Sequence, residues 1–143
     1  MITTSGAGRT WHFSHALGRH TSEHNGRTGG YGNPMDVALA PDGHLFVLSR
    51  GTGSEIEGYG CDLLLRIGKT TIDEDHIGDF ARGGYTWGAG IAVSGDGNVY
   101  CTDEYENVVL VFPPDKIQNF PDFDPDGEYI DKWGDPGTGP GQL

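Results

Sequence analysis

The stretch from Asn33 to Arg50, Asn-Pro-Met-Asp-Val-Ala-Leu-Ala-Pro-Asp-Gly-His-Leu-Phe-Val-Leu-Ser-Arg, reads as a β-hairpin. Val37 and Leu39 alternate before a break at Pro41-Asp42-Gly43, and Phe46 and Leu48 alternate after it. That period of two is the mark of half-buried strands. Proline presets φ at the first turn position, aspartate accepts a hydrogen bond from the backbone, and glycine enters the left-handed region without a Cβ clash. The unit returns from Trp87 to Asp103, Trp-Gly-Ala-Gly-Ile-Ala-Val-Ser-Gly-Asp-Gly-Asn-Val-Tyr-Cys-Thr-Asp, with Asp42-Gly43 matched 54 positions on by Asp96-Gly97. The chain is therefore a repeat protein.

Composition agrees with short strands and tight turns. Of 143 residues, 35% are hydrophobic, and the 25 Gly and 8 Pro disfavour helices. The 21 acidic and 9 basic residues leave a formal charge of −12, which repels phosphate backbones and anionic lipid, so neither nucleic acid nor membrane is an expected partner. The start, Met-Ile-Thr-Thr-Ser-Gly-Ala-Gly-Arg-Thr, lacks the apolar core of a signal peptide. If Met1 is the natural start, a cytoplasmic location is expected. Cys61 and Cys101 are too few for a disulfide framework and lack metal-ligand spacing.

In chain order, residues 1–10 are expected to fray, and Trp11 to Gly18 is expected to form one outer strand, followed by a Gly-rich connector to residue 33. A first blade is expected over 34–86, a second over 87–134, and a connector over 135–143. Each blade adds to its hairpin a third strand, Leu63 to Ile67 or Val108 to Phe112, and an aromatic fourth, His76 to Phe80 or Tyr129 to Gly134. The first blade carries an insertion from Gly51 to Gly60, and the second is lengthened from Pro113 to Gly127.

Four strands repeating every ~40 to 50 residues predict an all-β fold, a β-propeller segment of two four-stranded antiparallel blades plus one outer strand. Propellers close with about four to eight blades. Two blades leave apolar faces open, so the remaining blades are expected from a longer chain or from oligomerisation. Pro-x-x-Val-Ala-x-x-Pro-Asp-Gly-x-Leu-Phe-Val from Pro34, Val-Tyr-x-Thr-Asp-x-x-x-Asn-x-Val-x-Val-Phe from Val99, and Asp-Gly-Glu-Tyr-Ile-Asp-Lys-Trp-Gly from Asp126 resemble the NHL repeat family. The resemblance covers about residues 11–143 and implies a fragment of a six-bladed parent.

Antiparallel strands alternate ends, so the outer-to-inner connectors share one face with the loops after the second strand of each blade. Loops on a rigid scaffold carry function, and this face is expected to hold Asp36, Ser49, Arg50, Glu55, Glu57, Asp103, Glu104 and Tyr105. Asp36, Glu55, Glu57, Asp103 and Glu104 are the candidate ligand-binding residues, for a small polar molecule, peptide or protein. Within the NHL group the layout is similar to the peptidyl-hydroxyglycine amidating lyases. That resemblance implies a metal-dependent lyase or hydrolase in which Arg50, followed by Gly51 and a Gly-rich loop, and Tyr105 of Asp103-Glu104-Tyr105 serve the active site. An arginine beside a tyrosine could stabilise an oxyanion or relay a proton. The family's catalytic zinc is held by histidines at the start of innermost strands; the equivalent positions here are Met35 and Ala89, neither a zinc ligand.

Two further constellations are weaker. His12, His15, His20 and His24 cluster in sequence, but three-residue spacing on a strand sends His12 and His15 to opposite faces. Asp122-Phe-Asp-Pro-Asp-Gly127 opens like a calcium loop, but its twelfth position is Trp133 instead of Glu. Zinc and calcium thus stay open as cofactors. The reading favoured by the residues is a binding scaffold, with the lyase as the alternative.

Overall fold

The computed structural model describes residues 2–17, 31, 33–50, 65–73, 75–81, 86–113, 129 and 131–142. Ten strands lie among them: β1 Thr3–Gly6, β2 Arg9–His12, β3 Pro34–Leu39, β4 Leu45–Arg50, β5 Leu65–Thr70, β6 His76–Phe80, β7 Gly88–Val93, β8 Val99–Asp103, β9 Val108–Phe112 and β10 Asp131–Trp133. They form three antiparallel sheets, β1-β2, β3-β4-β5-β6 and β7-β8-β9-β10, and no helix occurs among the described residues. The two four-stranded sheets are up-and-down meanders, the blades of an incomplete β-propeller.

The hairpin turns are built as their residues dictate. In the first, Gly43 N donates to the Ala40 carbonyl at 3.0 Å, Ala40 N to the His44 carbonyl at 2.8 Å, and Gly43 sits at φ 87°. In the second, Gly97 N donates to the Ser94 carbonyl at 3.0 Å, Ser94 N to the Asn98 carbonyl at 2.9 Å, and Gly97 sits at φ 90°. A left-handed residue closing a three-residue loop is a standard hairpin solution, and glycine takes it without strain. Each blade also carries a register shift in its innermost pair, between Pro34 and Asp36 and between Gly88 and Gly90. Met35 and Ala89 are the bulged residues.

The N-terminal expectation needs correcting. Residues 3–6 and 9–12 form a hairpin instead of a frayed tail, and the strand expected over Trp11 to Gly18 ends at His12. Ala7 (φ 49°) and Gly8 (φ 74°) both turn left-handed between the strands, the conformation that matches strand twist in a two-residue loop. Every residue of β1 and β2 is exposed, so no burial pattern betrays them. The third strand of the first blade also runs later than expected, continuing through Gly68, Lys69 and Thr70.

The core lies between the blades. Phe46, Leu48 and Ile67 from the first sheet meet Ile91, Val99, Cys101, Leu110 and Phe112 from the second, and all are buried. Register explains the selection: Leu48 lies opposite Ile67, and Cys101 lies between Ile91 and Leu110, so each set occupies one face of its sheet. The innermost strands β3 and β7 run side by side. Burial pushes the Cys101 thiol up to about 12, with a smaller push from the Asp103 charge.

The opposite face of the first blade is divided. Its outer half holds the ion pair Arg66–Asp79 (Nε to Oδ1, 2.9 Å) under the ring of Tyr31, whose centroid is 5.8 Å from the guanidinium. A Cβ on Gly68 would come within 2.5 Å of Tyr31 Cε1, so the ring lies where only glycine leaves room. Burial raises the Tyr31 pKa, chiefly by disfavouring the phenolate. The innermost strand is bare on this face, with Val37 56% and Leu39 69% exposed, whereas Val47 on β4 is buried.

Two outcomes test this packing. Leu48→Ala should cost about 2–5 kcal/mol of unfolding free energy, read from the urea midpoint, because a fully buried side chain at the blade interface leaves a cavity. At the first turn, Lys69 Nζ lies 2.9 Å from Asp42 Oδ2, and this contact, followed by the bond from His44 N, holds the Asp42 carboxylate well below the usual aspartate range. A lowered pKa gives stability that is present above the unfolded value and is lost as pH falls through the folded one. The carboxylate is half exposed, so Asp42→Asn should cost no more than about 1 kcal/mol at pH 7. That difference should shrink in acid denaturation series.

Candidate functional site

The end of β4, the turn after β8 and the residues leading into β7 converge on one end of the two blades. Arg50 ends β4, and its backbone N donates to the Asn33 carbonyl at 3.1 Å; Glu104 follows β8 and donates to the Trp87 carbonyl at 3.1 Å. These bonds are repeat-equivalent, 54 positions apart in both partners. They place Arg50 and Glu104 next to each other across the blade boundary. The Arg50 guanidinium donates from Nη2 to Glu104 Oε1 at 2.7 Å and from Nε to the Gly88 carbonyl at 3.2 Å. It also lies 5.9 Å from the Trp87 ring centroid, within cation–π reach.

Trp87 continues the cluster to Tyr105. Their rings meet edge to face, 5.4 Å apart at 62°, a favoured aromatic geometry. Trp87 stays 51% and Tyr105 60% exposed, whereas the Arg50 side chain is only 23% exposed. The site is thus a fixed guanidinium flanked by a half-exposed aromatic pair and the Glu104 carboxylate.

Asp103 belongs to the framework beneath. Its buried carboxylate accepts from Thr86 N, from Trp87 N at 3.2 Å, from Tyr105 N at 2.9 Å and from Glu106 N at 3.1 Å. One side chain therefore ties the connector before β7 to the turn after β8. This is an aspartate hydrogen-bonding the backbone just beyond itself, and it leaves Asn107 left-handed at φ 54°. Asp36 has a comparable task between blades: Oδ1 accepts from Val37 N at 2.8 Å and Oδ2 from Ile91 N at 2.9 Å. The reach to Ile91 passes Gly90, where a Cβ would lie 3.7 Å from Asp36 Oδ2 and 3.3 Å from Thr102 Oγ1.

Of the sequence-predicted residues, Arg50, Glu104, Tyr105 and Asp103 come together, and Asp36 lies beside them on the innermost strand. Glu55 and Glu57 lie outside the described residues, as do His20, His24 and the acidic stretch from Asp122 to Gly127. Trp87 joins the Arg50 cluster, although in sequence it reads only as the start of the second hairpin. A large aromatic immediately before a glycine-rich innermost strand was the available signal.

The described residues do not fit the zinc centre implied by the lyase resemblance. Met35 and Ala89 occupy the bulges at the start of the innermost strands, and no group of three or more His, Cys, Asp or Glu that could hold a metal ion occurs among the described residues. No family model matches the chain, and no curated protein matches it. Among solved structures it is similar to virginiamycin B lyase from Staphylococcus aureus, at 15% identity and a TM-score of 0.39, over 70% of this chain and 33% of that one. The chain thus spans about a third of that protein's length, and the activity named there stays with that enzyme.

The role of Asp103 can be checked by stability. Asp103→Ala strands four backbone donors and should cost about 1–3 kcal/mol or more. Glu104→Ala, removing one exposed partner, should cost about 1 kcal/mol or less. Chemical denaturation of the two variants side by side reads the difference.

Proposed function

We propose that this chain is a binding scaffold, an NHL-type propeller segment that takes a small polar ligand, peptide or protein on the loop face around Arg50. The observation that carries this reading is the Arg50–Trp87–Tyr105 cluster. Two half-exposed aromatic rings beside a guanidinium match the residue types that dominate interface energetics. Arg50 is held by three neighbours before any partner arrives, so little side-chain freedom remains to be lost on binding. A charge of −12 disfavours nucleic acid and anionic membranes as that partner.

The lyase reading retains one geometric support, Arg50 and Tyr105 on the same face with Trp87 between them. Its metal ligands would have to come from outside the described residues. The binding reading needs no such addition.

Panning a displayed random-peptide library against the protein tests it. Enriched peptides should lose about tenfold or more in affinity to Trp87→Ala and to Arg50→Ala, and should bind Lys132→Ala as well as wild type. Peptides that bind Trp87→Ala and Arg50→Ala undiminished would remove the loop face from the proposal. Turnover of a peptide ending in α-hydroxyglycine, with added zinc, would instead favour the lyase.

A further inference from the structure

We propose that the two open blade faces pair with each other between copies of this chain, head to tail, to close a multi-chain ring. The contact already exists once within the chain. Ala38, Phe46 and Leu48 of the first blade pack against the face of the second that carries Ile91, Val99 and Cys101. By the 54-residue repeat, the outward face of the second blade presents Ala92, Tyr100 and Thr102 at the positions of Ala38, Phe46 and Leu48. The outward face of the first places Val37 and Leu45 at the positions of Ile91 and Val99, Val37 exposed and Leu45 partly so, whereas Val47, at the position of Cys101, is already covered within the chain. One chain therefore carries, at opposite ends, the innermost-strand part of both halves of its own internal interface, open at Val37 and Leu39 on one blade and at Ala92 and Thr102 on the other.

Charge points the same way. Within the chain, Arg50 of the first blade pairs with Glu104 at the same position of the second. Advance by one more blade into a second copy, and Glu104 meets Arg50 again. The sign at this position alternates around a head-to-tail ring, so each junction between copies joins opposite charges. Two chains in a row with the same sign there would repel instead. The clamp at the innermost strands is also compatible. Gly90 stands where Asp36 stands one blade earlier, and the amide that a carboxylate at position 90 would serve, Val37 N, is already satisfied by its own Asp36.

The seat is the innermost strand of the first blade's outward face, at Val37 and Leu39, since Val47 is buried and Tyr31 covers the outer half. A heterologous contact of this kind makes a ring when its rotation closes. Propellers close with about four to eight blades, so two, three or four copies satisfy it. With a net charge of −12 per chain, copies repel at long range, and added salt should strengthen the assembly by screening.

Sedimentation equilibrium of the 143-residue chain should give one discrete multimer, favoured by salt. Val37→Lys with Leu39→Lys blocks one face, and Ala92→Lys with Tyr100→Lys blocks the other; both reduce the net negative charge, so added repulsion cannot explain a loss of assembly. Each variant alone should be a folded monomer by circular dichroism and sedimentation, and the two mixed should form a one-to-one pair through the remaining open faces. A wild-type monomer at every concentration and salt would overturn the proposal without recourse to any variant. So would a multimer that survives either pair of substitutions, or folded variants that ignore each other.

Discussion

A four-stranded sheet has two faces and can hide neither of them without a neighbour. Everything else in this molecule follows from how that constraint is met between the blades. Leu48 and Ile67 on one side and Val99, Cys101 and Phe112 on the other exclude water at a single seam. The seam fixes the relative position of β3 and β7, and that position brings Arg50 beside Glu104. The candidate site is a by-product of the packing: its two halves come from different sheets and meet only because the apolar faces do.

Carboxylates finish what the apolar contact begins. The innermost strands of adjacent blades do not share a ladder, so their amides need other acceptors. Asp36 supplies one across the seam, and Asp103 supplies several at the loop end. Both aspartates resemble ligand-binding residues in a sequence, being acidic and next to loops. In the fold their oxygens accept from backbone amides, a scaffold role beside the candidate site.

The two hairpins were legible because their alternation is apolar on both sides of a Pro/Gly-marked turn, and Val108 to Phe112 because it is uninterrupted. β5 was harder to bound: the residues after Ile67, namely Gly68, Lys69 and Thr70, look like a loop, and they are strand because they pair with Val47, Phe46 and Leu45 of β4, with Tyr31 against Gly68 and Asp42 against Lys69. The N-terminal hairpin had no signal at all beyond Ala7-Gly8. The location of the candidate site could be read from strand alternation, as the face with Arg50 and Tyr105. Its aromatic centre at Trp87 could not, because the ring's importance depends on Arg50 arriving from 37 positions earlier in the chain.

Cys101 sits on the seam itself, with its thiol held protonated by burial. A thiol so placed reacts with an electrophile only when the sheets part or melt. The chain thus contains a sentinel for separation of the blades, distinct from any probe of strand content such as circular dichroism. Should labelling at this sulfur run ahead of the loss of β signal, the wedges come apart while each is still whole.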